Sequence, residues 1–213
     1  MLGISDPISF IILSFWSLFA IVDPVGAIPT FLSVTAKDTV KERVRMARIA
    51  TIVAFFILAL FSVGGRWILD AFGVSMPAFQ IAGGVVLFKV ALDMLQARQT
   101  ALKETPEEQA EAKDKDDVAV TPLAVPMLAG PGAITAVVLL STQATNTLYH
   151  AIVTFNIFLV SLITFIILRF AATRASLLSG ITLKIVARLM GLLLAAIAVQ
   201  FVLNGIRDVQ KIW

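Results

Sequence analysis

Asp23-Pro24-Val25-Gly26-Ala27-Ile28-Pro29-Thr30 lies in the middle of one long apolar stretch, and Gly130-Pro131-Gly132-Ala133-Ile134-Thr135 lies in the middle of another. With Val25 and Pro29 set aside, the two read D-P-G-A-I-T and G-P-G-A-I-T. Proline removes a backbone donor and glycine loosens the chain, so each segment interrupts the helix that contains it. In hydrocarbon the backbone groups freed in this way need new partners. Matched interruptions in two halves of a chain are the pattern of a transporter built from inverted repeats, with its site at the membrane midplane.

The surroundings of these segments are those of a membrane protein. The chain has 213 residues, 59% of them hydrophobic, with a mean hydropathy of +0.94. That is more apolar surface than one soluble core can hide. Apolar runs long enough to cross a bilayer fall at about 8–35, 48–69, 77–97, 118–142, 151–171 and 185–207. The expected fold is therefore all-α and integral to the membrane: six transmembrane helices as two three-helix repeats, 1–97 and 118–213, with helices 1 and 4 broken. Between the repeats, residues 98–117 hold four basic and seven acidic side chains and read as a solvated cytoplasmic linker. The first apolar run has no Lys or Arg before it and no small-residue cleavage site after it, so it reads as a retained helix.

Charge asymmetry gives the orientation. Thirteen Lys and Arg cluster in alternate connections, among them Lys37, Lys41, Arg43, Arg45 and Arg48 after the first span. Only Arg66, Arg207 and Lys211 lie on the other side, and Lys89 sits within a span. The positive-inside rule then puts both termini outside the cytoplasm. With three spans per half, the second half enters from the opposite face, and the repeat is inverted.

Several functions are excluded or left without material. Cysteine is absent and the single histidine, His150, lies in a short polar connection, which leaves no thiolate, histidine cluster or metal set for enzyme chemistry. No cofactor is implied. No basic stripe lies on a soluble surface, so the net charge of +3 does not point to nucleic acid.

The interruptions themselves carry the chemistry. Asp23 reads as an N-cap with Pro24 opening a second half-helix, and Gly130-Pro131 repeats that grammar. Two half-helix N-termini would present N–H groups to a carboxylate, and loosened carbonyls would receive an ammonium. A small zwitterionic amino acid offers both groups. Gly26 and Gly132 let the backbone approach such a ligand. Asp23, the one carboxylate far from a span end, has three candidate roles: helix cap, ligand for the substrate ammonium, and proton-coupling group. Lys89 and Asp93 stand four apart and could pair on one helix face. Asn156, Gln200 and Asn204 read as interhelical hydrogen-bonding residues, with Gln200 the candidate to face the cavity.

The Asp23-Pro24-x-Gly26-x-x-Pro29 element, the A-G-P-G-A-I-T element from Ala129 to Thr135 and the repeated three-span halves resemble the MarC-type membrane protein family. The resemblance covers essentially the whole chain. It implies a six-span inverted repeat in the cytoplasmic (inner) membrane, carrying glycine, alanine or a similar small neutral amino acid with protons as the coupling ion. It also implies a substrate site lined by Asp23, Pro24, Gly26, Gly130, Pro131 and Gly132. Thr135 closes the second motif and joins that set. The competing class is a channel or passive pore whose filter is formed by the same breaks.

Overall fold

The computed structural model describes residues 6–96, 127–144, 146–175 and 180–210, and every described element is helical. They are α1 (Pro7–Val22), α2 (Ala27–Val34), α3 (Val40–Ala71), α4 (Met76–Leu95), α5 (Pro131–Gln143), α6 (Thr147–Thr173) and α7 (Gly180–Gln210). Four of these, α3, α4, α6 and α7, are long and apolar enough to cross a membrane. The α1–α2 pair, bent by 40° at its break, makes a fifth if counted as one span. Helix α5 is apolar but shorter, and the part of the fourth run that precedes it lies outside the described residues. So does the charged linker at 98–117.

Helix starts follow local chemistry. Asp6 and Asn146 cap α1 and α6 by accepting the N–H of Ser9 and Tyr149, and Ser75 caps α4 through Ala78. At α3 the cap is reciprocal: Thr39 accepts the Glu42 N–H while the Glu42 carboxylate takes the Thr39 N–H at 2.9 Å. That box starts the helix at Val40 rather than near residue 48, so its first two and a half turns carry Lys41, Arg43, Arg45 and Arg48 out of the apolar zone. At about 1.5 Å per residue the 32 residues of α3 reach about 48 Å, well beyond a hydrocarbon core of about 30 Å. Between α3 and α4, Gly73 takes a positive φ of 66°, and the Val74 N–H closes back on the Leu69 carbonyl.

Packing directions follow from residue contacts. Phe10 meets Tyr149 edge-on and Ser14 bonds Asn156, so α1 and α6 run parallel. Phe55 of α3 meets Phe158 of α6, while Arg48 shares a groove with Arg169, so these two run antiparallel. The most extensive interface joins α4 to α7, also antiparallel. A Cβ on Gly205 would stand 3.0 Å from the Pro77 carbonyl, one on Gly84 2.8 Å from the Ala198 carbonyl, and one on Gly191 3.1 Å from the Ala91 carbonyl. Small residues of this kind let membrane helices approach backbone to backbone. The outer faces carry exposed Trp16, Phe56, Leu60, Val63 and Trp67, which suits contact with lipid.

Polar side chains stitch the interior. Ser62 of α3 and Ser141 of α5 are buried and hydrogen-bonded at 2.8 Å. Asn156 is fully buried; its amide donates to Ser14 Oγ at 2.7 Å and to the Ile11 carbonyl at 3.0 Å. It joins α6 to α1, as expected of a polar residue in a span. Gln200 and Asn204 do otherwise: Gln200 donates to Asn204 Oδ1 within α7 itself. No ion pair forms between Lys89 and Asp93; among the described residues Arg66 and Asp70 make one at 3.9 Å.

Candidate functional site

The first interruption is built differently from a simple N-cap at Pro24. Asp23 ends α1 as its C-cap, with φ 47° and ψ 64°, and is the one non-glycine residue at positive φ among those described. An aspartate tolerates this left-handed conformation when its short side chain finds a local hydrogen bond. Here Asp23 Oδ1 accepts the Gly26 N–H at 2.9 Å. Its carbonyl accepts the Ala27 N–H at 3.0 Å, and the Val25 carbonyl accepts that of Ile28 at 3.2 Å. The second helix therefore starts at Ala27, three residues later than the sequence grammar suggests. Pro29 brings no N–H, so the donors of the first turn of α2 are already taken or absent.

The carboxylate is nevertheless placed for chemistry. Asp23 is buried, and its Oδ2 makes no hydrogen bond among the described residues. A Cβ built on Gly26 would collide with that oxygen and would meet the Met94 methyl at 2.5 Å. Glycine at 26 is what leaves the carboxylate room.

At the second segment the start of α5 follows the expected grammar. Gly130 is the N-cap in extended conformation, Pro131 opens α5, and the Gly130 carbonyl accepts the Ile134 N–H at 3.0 Å. Gly132 and Ala133 supply the next N–H groups along the helix. Leu128, Ala129, Gly130, Gly132, Ala133 and Thr135 are buried, whereas Pro131 is exposed. Thr135 donates its hydroxyl back to the Pro131 carbonyl at 2.8 Å.

Helix α4 touches both segments. Met94 lies against Gly26, Leu87 against Gly132, and Gly83 against the Thr135 side chain. The break glycines thus rest on one helix two turns apart, about 10 Å along its axis. A cavity of about 10 Å³, room for about one water, lies between Val22, Leu128, Thr51, Leu58, Ser161 and Thr164, and neither break glycine lines it. The Thr51 and Thr164 hydroxyls donate to the Ala47 and Val160 carbonyls of their own helices. Thr51, Ser161, Thr164 and Met94 were not distinguishable by sequence motif; the available signal was hydroxyl residues within otherwise aliphatic spans. Gln200 stands apart from this group. It is exposed, on the face of α7 opposite Gly191, Leu194 and Ala198, which are buried. Among the described residues no three His, Cys, Asp or Glu side chains converge on a point where a metal could bind.

Several apolar helices, buried polar cross-links and lipid-facing aromatics define an all-helical integral membrane protein. The chain belongs to the MarC family: the family model for MarC family integral membrane proteins matches residues 8–210. A UPF0056 membrane protein of Methanocaldococcus jannaschii is 40% identical over 200 residues, covering 94% of this chain and 97% of the relative. The UPF0056 membrane protein YvbG of Bacillus subtilis is 38% identical over 200 residues, covering 93% and 95%. One from Archaeoglobus fulgidus is 39% identical over 209 residues, covering 97% of each. No solved structure matches the chain.

Proposed function

We propose that the protein is a secondary transporter of a small neutral amino acid, of the glycine and alanine class, working by alternating access in the cytoplasmic membrane with protons as the coupling ion. The observation that carries this reading is the buried Asp23 carboxylate at an interrupted helix, on the same face of α4 as the Gly130-Pro131 helix start. Asp23 Oδ2 and the carbonyls that precede each break would receive the substrate ammonium. The start of α5 would receive its carboxylate, through the Gly132 and Ala133 N–H groups and the positive end of the helix dipole. The α2 start has no comparable donors to give, so the two breaks take different parts in the site. Asp23 is the proposed proton carrier.

Register and direction support an inverted-repeat reading. One constant offset carries Asp23 to Gly130, Pro24 to Pro131, the α3 cap Thr39 to the α6 cap Asn146, and Gly84 to Gly191. The same offset carries buried Leu87 to buried Leu194 and buried Ala91 to buried Ala198. The helices it relates, α3 with α6 and α4 with α7, pack antiparallel to one another. Both termini outside the cytoplasm follow from this arrangement and the loop charges.

Uptake of labelled glycine and alanine into proteoliposomes, with and without an imposed proton gradient, tests the proposal. Saturable uptake with counterflow, accelerated by the gradient, is expected. Absence of uptake of both substrates by folded protein overturns it, and non-saturable flux points to a pore instead.

A further inference from the structure

We infer that the groove between α3 and α6, at the end where both helices become basic, binds the phosphate headgroup of an anionic phospholipid. Its walls carry Lys41, Arg45 and Arg48 from α3 and Arg169 from α6, with Phe165 between them. On α3, residues 49–65 hold no charge, and on α6 residues 151–168 hold none. Arg48 and Arg169 are therefore the first charges met on leaving the apolar zone of each helix, and they leave it at the same end. Basic pockets between transmembrane helices at that depth meet lipid headgroups.

Among the described residues, the neighbouring charges do not cancel the field. Glu42, the acid that lines the groove, has its carboxylate engaged by the Thr39 N–H and hydroxyl, each at 2.9 Å. Arg43, on another side of the helix, is spent on the turn that follows α2: its guanidinium donates to the Thr35 and Ala36 carbonyls at 3.0 and 3.1 Å. Among the described residues that line the groove, Lys41, Arg48 and Arg169 alone outnumber the one acid, Glu42.

Below the charges the groove becomes a track for acyl chains. Positions 41, 45, 48, 52 and 55 share one face of α3, and positions 169, 165, 162 and 158 share one face of α6. Ile52, Phe158 and Leu162 are exposed, at 48%, 50% and 42%. The two faces close at Phe55 and Phe158, whose rings meet edge-on at 6.1 Å. Headgroup charges above and an aromatic floor about 10 Å below fit a phospholipid, which offers phosphate and hydrocarbon in that order. A free phosphate would use only the upper part.

Nanodiscs that mix phosphatidylglycerol with phosphatidylcholine test the assignment, with native mass spectrometry counting the lipids retained and thermal unfolding following stability. The wild-type chain is expected to retain phosphatidylglycerol preferentially and to unfold at a higher temperature with it. In Arg48→Gln the preference is expected to fall about fivefold, and in the Arg48→Gln/Arg169→Gln pair about 25-fold. Arg66→Gln, at the other end of α3, should keep it, and so should Arg48→Lys in large part. Folding of each variant is checked by monodispersity in phosphatidylcholine alone. Equal retention of both lipids by the wild type overturns the proposal, as does an unchanged preference in the double variant. A stability gain from inorganic phosphate alone, not increased by phosphatidylglycerol, overturns the lipid in favour of a soluble anion. A lipid preference that appears only when the acidic residues of 104–117 are neutralised overturns it in favour of that linker as occupant.

Discussion

At the scale of single residues, Asp23 has one observed task and one proposed one. Oδ1 holds the Gly26 N–H and so fixes the turn that ends α1 and starts α2, while Oδ2 remains for another donor. The tasks separate by substitution. Asn keeps an acceptor for Gly26 and tolerates the left-handed backbone, so Asp23→Asn should fold with little loss of stability. Asp23→Ala loses the cap and places a residue without local hydrogen bonds at φ 47°, and should cost about 1–2 kcal/mol in thermal or denaturant unfolding. Uptake by Asp23→Asn should persist at a reduced rate but lose its acceleration by a proton gradient. Full proton dependence in that variant would remove Asp23 from the coupling mechanism.

At the scale of elements, glycine decides how closely α4 and α7 approach. A methyl group on Gly84 would stand 2.8 Å from the Ala198 carbonyl and 3.1 Å from Phe201 Cβ, and backbone on that side cannot swing away as a side-chain end can. Gly84→Ala should therefore destabilise the protein by about 1–3 kcal/mol, measured as unfolding in detergent. Gly64, on α3, meets nothing within 4 Å where its Cβ would be, and Gly64→Ala should be neutral or stabilising through helix propensity. Opposite signs for two identical substitutions would show that the effect comes from the interface. The sequence carries a signal for these contacts, since Gly84 and Gly191 interrupt aliphatic runs where close backbone approach is the main use for a glycine. The Thr39-x-x-Glu42 cap was written there too, although the apolar pattern alone put the start of α3 too late. The restart of α2 at Ala27 was not legible, since it depends on a left-handed Asp23 that only the folded turn reveals. Nor was the outward direction of Gln200. Protein-facing and lipid-facing positions of α7 are both apolar, so its sequence lacks the contrast that marks a buried face in a soluble helix.

At the scale of the whole molecule, alternating access requires that something packed in this structure come apart in another state. The α3–α5 contact is a candidate, because α5 is the helix that starts at Gly130-Pro131, and near its far end the buried pair Ser62 and Ser141, at 2.8 Å, ties it to a long span. Cysteines at both positions would bring their sulfurs within bonding reach after a small change of side-chain torsion. The native chain contains no cysteine, so an engineered pair would be the sole thiols present. Oxidised Ser62→Cys/Ser141→Cys protein should therefore form the crosslink readily and lose most of its uptake, at least tenfold, with recovery on reduction. Each single variant, given the same oxidant, controls for the substitution itself. If α3 and α5 instead move as one body, the crosslink should form equally well and leave uptake untouched, and the moving boundary would have to lie elsewhere. The interface between the α4–α7 pair and the rest of the bundle would then be next. Met94 against Gly26 and Leu87 against Gly132 are the contacts there that a sliding motion would break, and both touch the proposed site. Loss of uptake with reversal on reduction, in a crosslink remote from Asp23, is the outcome that a rigid pore does not produce.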